Sequence, residues 1–257
     1  MCYDIKASLE AQLKRAKRLN DLSAIMEIEQ KLIPYTDLPI NHKSGFAHPK
    51  LLIYTKDHPE VPIIANWGLI PHWVKDAELK TKIWNSTINA RGETLAEKPS
   101  FRDAYKSKRC LVYVDGFYEH HHQDKQTYPF YVHRPDKEPI CIAGIWSDWT
   151  DRQSGEVWTS FSLVTTKANE MMARIHNNPK AKEARMPVLL NEEEAEFWLN
   201  ADVNNPSEKA ALDGLIRPWE QSELQAYTVA KLRGKQYMGD LPQITEPVTY
   251  EELILEL

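Results

Sequence analysis

The chain has 257 residues, of which 42% are hydrophobic and 27% are charged. A chain of this length and composition buries a sizeable core, so we expect one large folded domain and not a disordered protein. No stretch approaches the roughly 18 apolar residues of a membrane-spanning helix, and residues 1–20 lack the apolar centre of a signal peptide. The sequence therefore predicts a cytoplasmic protein that does not insert into membranes.

Charge is distributed unevenly along the chain, although its net value is only −5. Residues 192–257 carry 14 acidic and 5 basic residues, whereas residues 1–191 carry 23 acidic and 27 basic residues. The overall charge argues against a protein that coats nucleic acid electrostatically, but the mildly basic first part is compatible with an anionic partner. We expect residues 192–257 to pack against the rest within one domain that spans residues 1–257.

Apolar spacing changes after the first fifty residues. Residues 5–33 carry apolar side chains three and four apart, which predicts two helices divided at residues 19–23 and ended by Pro34. Six later runs are short and rich in β-branched or apolar residues, and we expect them to be strands: residues 51–54, 62–68, 110–114, 128–132, 140–146 and 161–166. This order indicates an α+β fold with a largely antiparallel, barrel-like β-sheet core and flanking helices.

Three shorter elements complete the prediction. The polar residues 120–127 are expected to form the loop of a hairpin. Helices are predicted at residues 167–175 and 191–199, and Asn191 is expected to cap the second, which has three glutamates in its first turn.

Cys2 is the first candidate for chemistry. If Met1 is removed, Cys2 presents a thiol and an α-amine on adjacent carbons, and both groups are partly available as nucleophiles near neutral pH. Such a pair can trap an aldehyde, because the amine forms a Schiff base and the thiol closes a five-membered thiazolidine ring. The three cysteines, Cys2, Cys110 and Cys141, follow no disulfide or zinc spacing.

Further candidates lie in four short motifs. Asn89 and Arg91 are two residues apart, so on a strand they share one face, where an amide lies beside a phosphate-binding guanidinium. Glu119 follows two aromatic residues in VDGFYE, a setting that raises the pKa of a carboxyl toward the general acid–base range. Thr165 precedes a predicted helix, and His176 ends that helix and can titrate near neutrality. The run of histidines at 120–122 has no partners with metal-ligand spacing, so we predict no metal site and no cofactor.

The motifs, taken in order, resemble one family. The sequence has Cys at position 2, then WGLIPHW, NARGET, VDGFYE, AGIW, SLVTT with a downstream IH, and RMPVLL. This set resembles the SOS response-associated peptidase (SRAP) family, whose members are also called abasic-site processing proteins. The resemblance extends from Cys2 to about Leu199.

The resemblance implies a function in the DNA damage response, namely a sensor of abasic sites in single-stranded DNA. It implies that Cys2, exposed by removal of Met1, forms a thiazolidine crosslink with the ring-opened sugar, with accompanying lyase and autoproteolytic activities. Asn89 would hold the reacting groups, Glu119 would shuttle the proton for ring opening, and His176 would assist the Schiff-base steps. Arg91 would grip a phosphate, and Thr165 would place a hydroxyl nearby.

The bases next to an abasic site need aromatic side chains to stack on and basic side chains near the strand. We expect Trp73, Phe101 and Arg102 to supply these contacts.

The sequence departs from the family pattern in three places. Tyr3 and Asp4 follow Cys2 where Gly-Arg is common, His120 follows Glu119 where Trp is common, and residues 177–184 separate His176 from Arg185. This eight-residue segment carries two lysines and is expected to reach toward DNA.

Two alternatives stay open from the residues. The thiol, acid and histidine would also serve an N-terminal-nucleophile hydrolase that attacks an amide or peptide. A non-catalytic module that binds single-stranded nucleic acid through its aromatics and arginines would leave Cys2 incidental.

Overall fold

The structure, a computed structural model, describes residues 2–255. Within them the chain forms thirteen β-strands: β1 (Asp4–Ala7), β2 (Ile40–Ser44), β3 (Lys50–Thr55), β4 (Ile63–Trp67), β5 (Asn89–Arg91), β6 (Arg109–Val114), β7 (Gly116–Gln123), β8 (Gln126–His133), β9 (Ile140–Thr150), β10 (Val157–Lys167), β11 (Arg185–Pro187), β12 (Leu189–Leu190) and β13 (Gln225–Thr228). The six predicted strands correspond to β3, β4, β6, β8, β9 and β10, so these predictions are confirmed.

Seven α-helices accompany the strands in the described part of the chain: α1 (Leu9–Arg18), α2 (Leu22–Glu27), α3 (Ala77–Trp84), α4 (Arg102–Ser107), α5 (Glu170–Ile175), α6 (Glu192–Asn200) and α7 (Pro206–Gly214). The predicted division of the first helical segment is confirmed, since Asp21 accepts a hydrogen bond from Ala24 N and caps α2. Asn191 and Glu194 form a capping box at the start of α6, which confirms that prediction as well.

The start of the first helical prediction is wrong. Ile5 lies in β1 and not in a helix, because β1 is paired on both sides, with β2 and with β7. Helical periodicity begins only after Ser8, whose hydroxyl accepts from Ala11 N and caps α1. At the other end, α2 continues into a π-helical turn at Ile28–Leu32, and Pro34 lies within a following 3-10 turn.

Two sheets organise the fold, and the predicted α+β class is confirmed. One sheet has the strand order β13-β8-β7-β1-β2, and the other contains β11, β10, β4, β3, β6, β9 and β12, with β5 paired to β10. Within the second sheet, β10, β4, β3, β6 and β9 close into a five-stranded barrel, because β9 also pairs with β10. Most pairings are antiparallel, while β4 and β5 run parallel to β10.

Alternating side chains of β6 divide the interior into two cores. Cys110, Val112 and Val114 belong to the larger core, whereas Leu111 and Tyr113 face a second core that also contains Trp198 of α6. This is the two-residue periodicity of a strand that is buried on both faces. The barrel is thus packed on its inside and covered by helices on its outside.

The predicted hairpin loop is wrong in length. Residues 120–123 continue β7 and residues 126–127 already belong to β8, so only Asp124 and Lys125 form the turn. Both turn residues have positive φ, of 50° and 64°, which matches the backbone twist of a two-residue hairpin. The polar run was misleading because polar residues also occupy buried and half-buried strand positions, such as His121 and His120.

The chain after α6 adds a strand to the first sheet. β13 pairs antiparallel with β8, from Gln225 opposite His133 to Thr228 opposite Phe130. An isolated bridge between Val229 and Pro247 follows it. These pairings bring residues 229–240 next to β1 and β7.

Candidate active site

A cavity of about 590 Å³ lies at the junction of the two sheets. Its lining comes from β1, β5, β7, the segment after α5, β11 and residues 231–233. Two predicted site residues in the lining, Glu119 and His176, are joined by a direct contact, and Arg91 lies in the same lining. The segment 177–184 also contributes to the wall, as Asn178, Lys180 and Lys182 are among the lining residues.

Cys2 lies beneath this cavity and not in its lining. Its side chain is completely buried, and the Sγ donates weakly to Asp4 O at 3.8 Å. Burial raises the pKa of the Cys2 thiol well above its ordinary value, and the nearby Glu119 adds to this shift. The thiol is therefore held in its neutral form.

Asn89 binds the backbone of Cys2. Its Nδ2 donates to Cys2 O at 2.7 Å, and its Oδ1 is buried with no hydrogen-bond partner among the described residues. The position follows from the parallel pairing of β5 with β10, which sets Asn89 opposite Leu163 and Arg91 opposite Thr165. A buried acceptor without a partner costs about 1–3 kcal/mol, so this oxygen is suited to receive a donor from a ligand or a reacting group.

Glu119 and His176 form the polar centre of the site. His176 Nδ1 lies 2.8 Å from Glu119 Oε2, and Glu119 Oε1 accepts from His120 N at 3.1 Å. Burial raises the pKa of Glu119 to about 7, as its place after the buried residues Phe117 and Tyr118 led us to expect. A carboxyl with this pKa exchanges a proton readily at neutral pH. His176 is presented by the C-terminus of α5, where its N–H donates to Met172 O.

Arg91 stands in a network of charges. Its Nη1 donates to Glu183 Oε1 at 3.1 Å, and the same oxygen accepts from Arg185 Nη1 at 2.6 Å. Arg185 is almost completely buried and also donates to Thr165 O at 2.8 Å. Thr165 itself is buried behind Arg185, and its hydroxyl donates to Ala90 O at 3.3 Å, so it does not line the cavity.

Three predicted DNA-binding residues lie away from the cavity. Trp73 is 39% exposed and donates through Nε1 to Pro99 O, and the Arg102 side chain is 50% exposed. Phe101 is only 5% exposed and packs in the second core, so its ring offers no face for stacking on a base in this structure. The role expected of these residues stays a prediction.

Sequence reasoning missed several residues of the site. Arg185 opens the motif RMPVLL, and its position at the start of an apolar run was the one available signal of a buried arginine. Asp4 and Arg233 form an ion pair beside the cavity, and nothing in the sequence relates them. Within residues 2–255 no group of three or more His, Cys, Asp or Glu side chains is arranged to hold a metal ion. The same residues include no helix with the length and hydropathy needed to cross a membrane.

Comparison with known proteins identifies the family of this chain. The model of the family described as SOS response associated peptidase (SRAP) matches residues 9–235. The chain belongs to the SRAP family. Its relatives include the abasic site processing protein YoqW of Bacillus subtilis, which is 37% identical over 167 residues, or 65% of this chain and 68% of that protein. The Xenopus tropicalis abasic site processing protein HMCES is 32% identical over 60% of this chain and 48% of its own length.

Solved structures share the fold of this chain. A protein from Bacteroides thetaiotaomicron has a TM-score of 0.80 and 33% identity, and the match covers 96% of this chain and all of that one. A Bordetella bronchiseptica protein, at a TM-score of 0.67 and 22% identity, shares the fold over 89% of this chain and 99% of its own. The fold therefore extends beyond the part of the chain that sequence similarity to the curated relatives covers.

Proposed function

We propose that this SRAP protein captures abasic sites in single-stranded DNA by a covalent bond to Cys2. The observation that carries the proposal is the convergence of four side chains from distant parts of the sequence. Asn89 donates to the Cys2 carbonyl, and Glu119 is in contact with His176. Burial, with a smaller contribution from Glu119, raises the pKa of the Cys2 thiol. The names of the relatives, which describe processing of abasic sites, support the choice of substrate.

The proposed reaction begins with the amine and ends with the thiol. Removal of Met1 gives Cys2 a free α-amine, which adds to the C1′ aldehyde of the ring-opened sugar and loses water to form a Schiff base. The Sγ then adds to the C1′ carbon, and its proton passes to the nitrogen, which closes the thiazolidine. The sum of the steps is one covalent adduct and one water molecule.

Glu119 and His176 handle the protons in this scheme. A carboxyl with a pKa of about 7 takes the proton of the C1′ hydroxyl as the sugar ring opens and returns a proton to the departing ring oxygen. His176, 2.8 Å away, holds the carboxyl in place and exchanges protons with the water that the Schiff base loses and regains. The buried Oδ1 of Asn89 accepts from the reacting amine, which orients it toward the aldehyde.

Arg91 is proposed to hold a phosphate of the bound strand, with the buried Thr165 and Arg185 supporting it from behind. Trp73 and Arg102 are proposed as contacts to the strand outside the cavity. Phe101 would need to leave the second core to join them.

The two alternatives fit the site less well. An N-terminal-nucleophile hydrolase needs a thiolate, whereas burial raises the pKa of the Cys2 thiol, so this site favours attack by the amine before the thiol. A module that only binds DNA has no use for a buried carboxyl, which costs stability without contributing to contact with a strand. The autoproteolytic and lyase activities implied by the family would follow from the same amine and thiol.

Intact-mass spectrometry tests the proposal. Purified protein is mixed with a single-stranded oligonucleotide that carries one abasic site, and the mass is measured after denaturation. We expect protein without Met1, and an adduct equal to the sum of both masses less one water. Cys2→Ala should give no adduct, whereas Cys141→Ala, which changes a cysteine outside the site, should react like the wild type.

A tetrahydrofuran analogue of the abasic site serves as the substrate control, because it has no aldehyde form. Retention of Met1, an adduct with this analogue, or an undiminished adduct with Cys2→Ala would each overturn the mechanism. Turnover of peptides without capture of DNA would favour the hydrolase.

A further inference from the structure

Arg233 reaches the cavity from the C-terminal part of the chain. It follows β13 and the bridge between Val229 and Pro247, and it lines the same cavity as Glu119 and His176. Its side chain is 59% exposed, so the guanidinium faces solvent as well as the cavity wall. The site thus has an arginine that neither the motifs nor the mechanism above uses.

A buried carboxylate fixes this arginine in place. Arg233 Nη2 donates to Asp4 Oδ2 at 2.8 Å, and Asp4 is only 2% exposed. The other oxygen of Asp4 lies 3.2 Å from His42 Nε2, and His42 Nδ1 lies 2.8 Å from the hydroxyl of Tyr237. Because both carboxylate oxygens have partners, Asp4 holds the guanidinium in one orientation.

Most N–H donors of Arg233 are available for a ligand. Of its five N–H groups, one is bound to Asp4, and the part of the chain that the structure describes offers no further hydrogen bond to the guanidinium. Two other cations of the lining have partners, since Arg185 is buried among acceptors and Lys231 donates to Thr127 O at 2.6 Å. A planar guanidinium with free donors is the geometry that binds phosphate oxygens in pairs.

The charge of the cavity wall matches a polyanion. Its lining contains six basic and three acidic residues: Arg91, Lys180, Lys182, Arg185, Lys231 and Arg233 against Asp4, Glu119 and Glu183. Burial keeps part of Glu119 protonated near neutral pH, which increases the positive balance. A strand of DNA entering this cavity meets a favourable potential.

We propose that Arg233 is a second phosphate-binding residue of the site, held by Asp4 and separate from Arg91. Asp4 is two residues after Cys2 and accepts from its Sγ through the backbone oxygen at 3.8 Å, so the Arg233 guanidinium is bound to a residue in contact with the reactive one. The phosphate next to the captured sugar is its ligand. This inference rests on the proposed function, because it takes single-stranded DNA as the substrate.

The test measures binding of an undamaged single-stranded oligonucleotide by fluorescence anisotropy at several salt concentrations. Arg233→Gln should bind about 3- to 10-fold more weakly at low salt, and the slope of log K against log salt should fall by about 0.7, the value for one phosphate contact on a single strand. Arg217→Gln is the matched control, since Arg217 is also an exposed arginine in an ion pair, with Glu194, and does not line the cavity.

Loss of Arg233 leaves Asp4 short of a partner, so the double variant Asp4→Asn/Arg233→Gln is measured as well. It removes the buried charge together with the guanidinium and should show the same reduced slope. A wild-type slope in a folded Arg233→Gln or double variant would overturn the inference, even if Cys2 forms its adduct. Absence of the adduct in the wild type, with the slope reduced as expected, would overturn the covalent mechanism and leave the phosphate contact standing.

Discussion

His176 Nδ1 and Glu119 Oε2 lie 2.8 Å apart, with both side chains almost completely shielded from solvent. The two residues come from different parts of the fold, because Glu119 lies within β7 and His176 terminates α5. Their contact therefore depends on the packing of α5 against the first sheet. A buried acid and an imidazole at this distance can exchange a proton at the wall of the cavity while most of their surface is shielded from solvent.

Glu119→Gln should change how stability depends on pH. In the folded protein the pKa of Glu119 is about 7, against about 4.3 for an unfolded glutamate. Well below pH 4 the carboxyl is protonated in both the folded and the unfolded state. Between pH 4.3 and 7 it ionises mainly in the unfolded chain. The free energy of unfolding of the wild type therefore falls as the pH rises through this range. At about 1.4 kcal/mol per pH unit, the loss approaches about 4 kcal/mol above pH 7.

Urea unfolding at pH 5 and pH 8 measures this effect. From pH 5 to pH 8 the free energy of unfolding of Glu119→Gln should rise by about 2–3 kcal/mol relative to that of the wild type, because glutamine does not titrate. Glu97→Gln, which changes an exposed carboxylate, is the control and should show no such gain. If the free energies of unfolding of wild type and Glu119→Gln differ by the same amount at both pH values, the raised pKa of Glu119 is contradicted.

Asn89→Ala should slow the capture of an abasic oligonucleotide by about 10- to 100-fold, because the Cys2 backbone loses its anchor and the reacting amine loses an acceptor. Asn89→Asp should be impaired as well, since the hydrogen bond to Cys2 O needs a donor. Gel-resolved adduct formation against time gives the rates. Asn66→Ala removes a comparable bond, from an amide to His48 O at 3.1 Å, outside the cavity lining, and should react normally. Equal rates for Asn89→Ala and wild type would refute the role of Asn89.

Glu183→Gln should strengthen the binding of single-stranded DNA. Glu183 Oε1 accepts from Arg91 and Arg185 together, so its negative charge competes with a phosphate for the Arg91 guanidinium. The neutral amide keeps the shape and removes the competing charge, and we expect about 3- to 10-fold tighter binding at low salt and a smaller gain at high salt. Glu78→Gln, which breaks the exposed pair with Lys82, should have no effect. Unchanged or weaker binding by Glu183→Gln would show that the ion pair does not obstruct the site.

Lys125→Gly should stabilise the protein. Lys125 has a φ of 64° in the turn between β7 and β8, a conformation that glycine adopts without steric penalty. We expect the free energy of unfolding to increase by about 0.5–1 kcal/mol, which raises the melting temperature of a chain of this size by about 1–4 °C. Calorimetry checks this expectation against Lys75→Gly, at an exposed lysine that is not left-handed. A loss of stability in Lys125→Gly would mean that the lysine side chain contributes more than the strain it carries.

Local patterns predicted six of the thirteen strands and the candidate site residues, because such patterns reflect neighbours in the sequence. The run at β6 reads as a strand since its alternate residues enter two different cores. The histidines at 120–122 were misread as a loop because polar residues also occupy buried and cavity-lining strand positions, and here His121 is buried while His120 and His122 line the cavity. Ile5 was misread because its apolar spacing continues into α1, and the pairing of β1 with two distant strands overrides it.

Contacts between distant residues were beyond prediction from one sequence. The ion pair of Asp4 with Arg233 spans 229 residues, and the bond of Arg91 to Glu183 spans 92. No periodicity or spacing encodes such pairs, since they arise only when both sheets have formed. The same reason explains why Thr165 was expected at the cavity but lies behind Arg185, where the register of β10 with β11 sets it.

The junction between the sheets has a consequence for the folding chain. Glu119 belongs to one sheet and Asn89 to the other, so neither sheet alone contains the reactive arrangement. A chain that has completed only one of them holds a cysteine near its start but lacks either the amide that anchors its carbonyl or the acid beside it. The arrangement proposed for capture is thus acquired late, with the tertiary structure, and we expect the native rate of adduct formation to report complete folding.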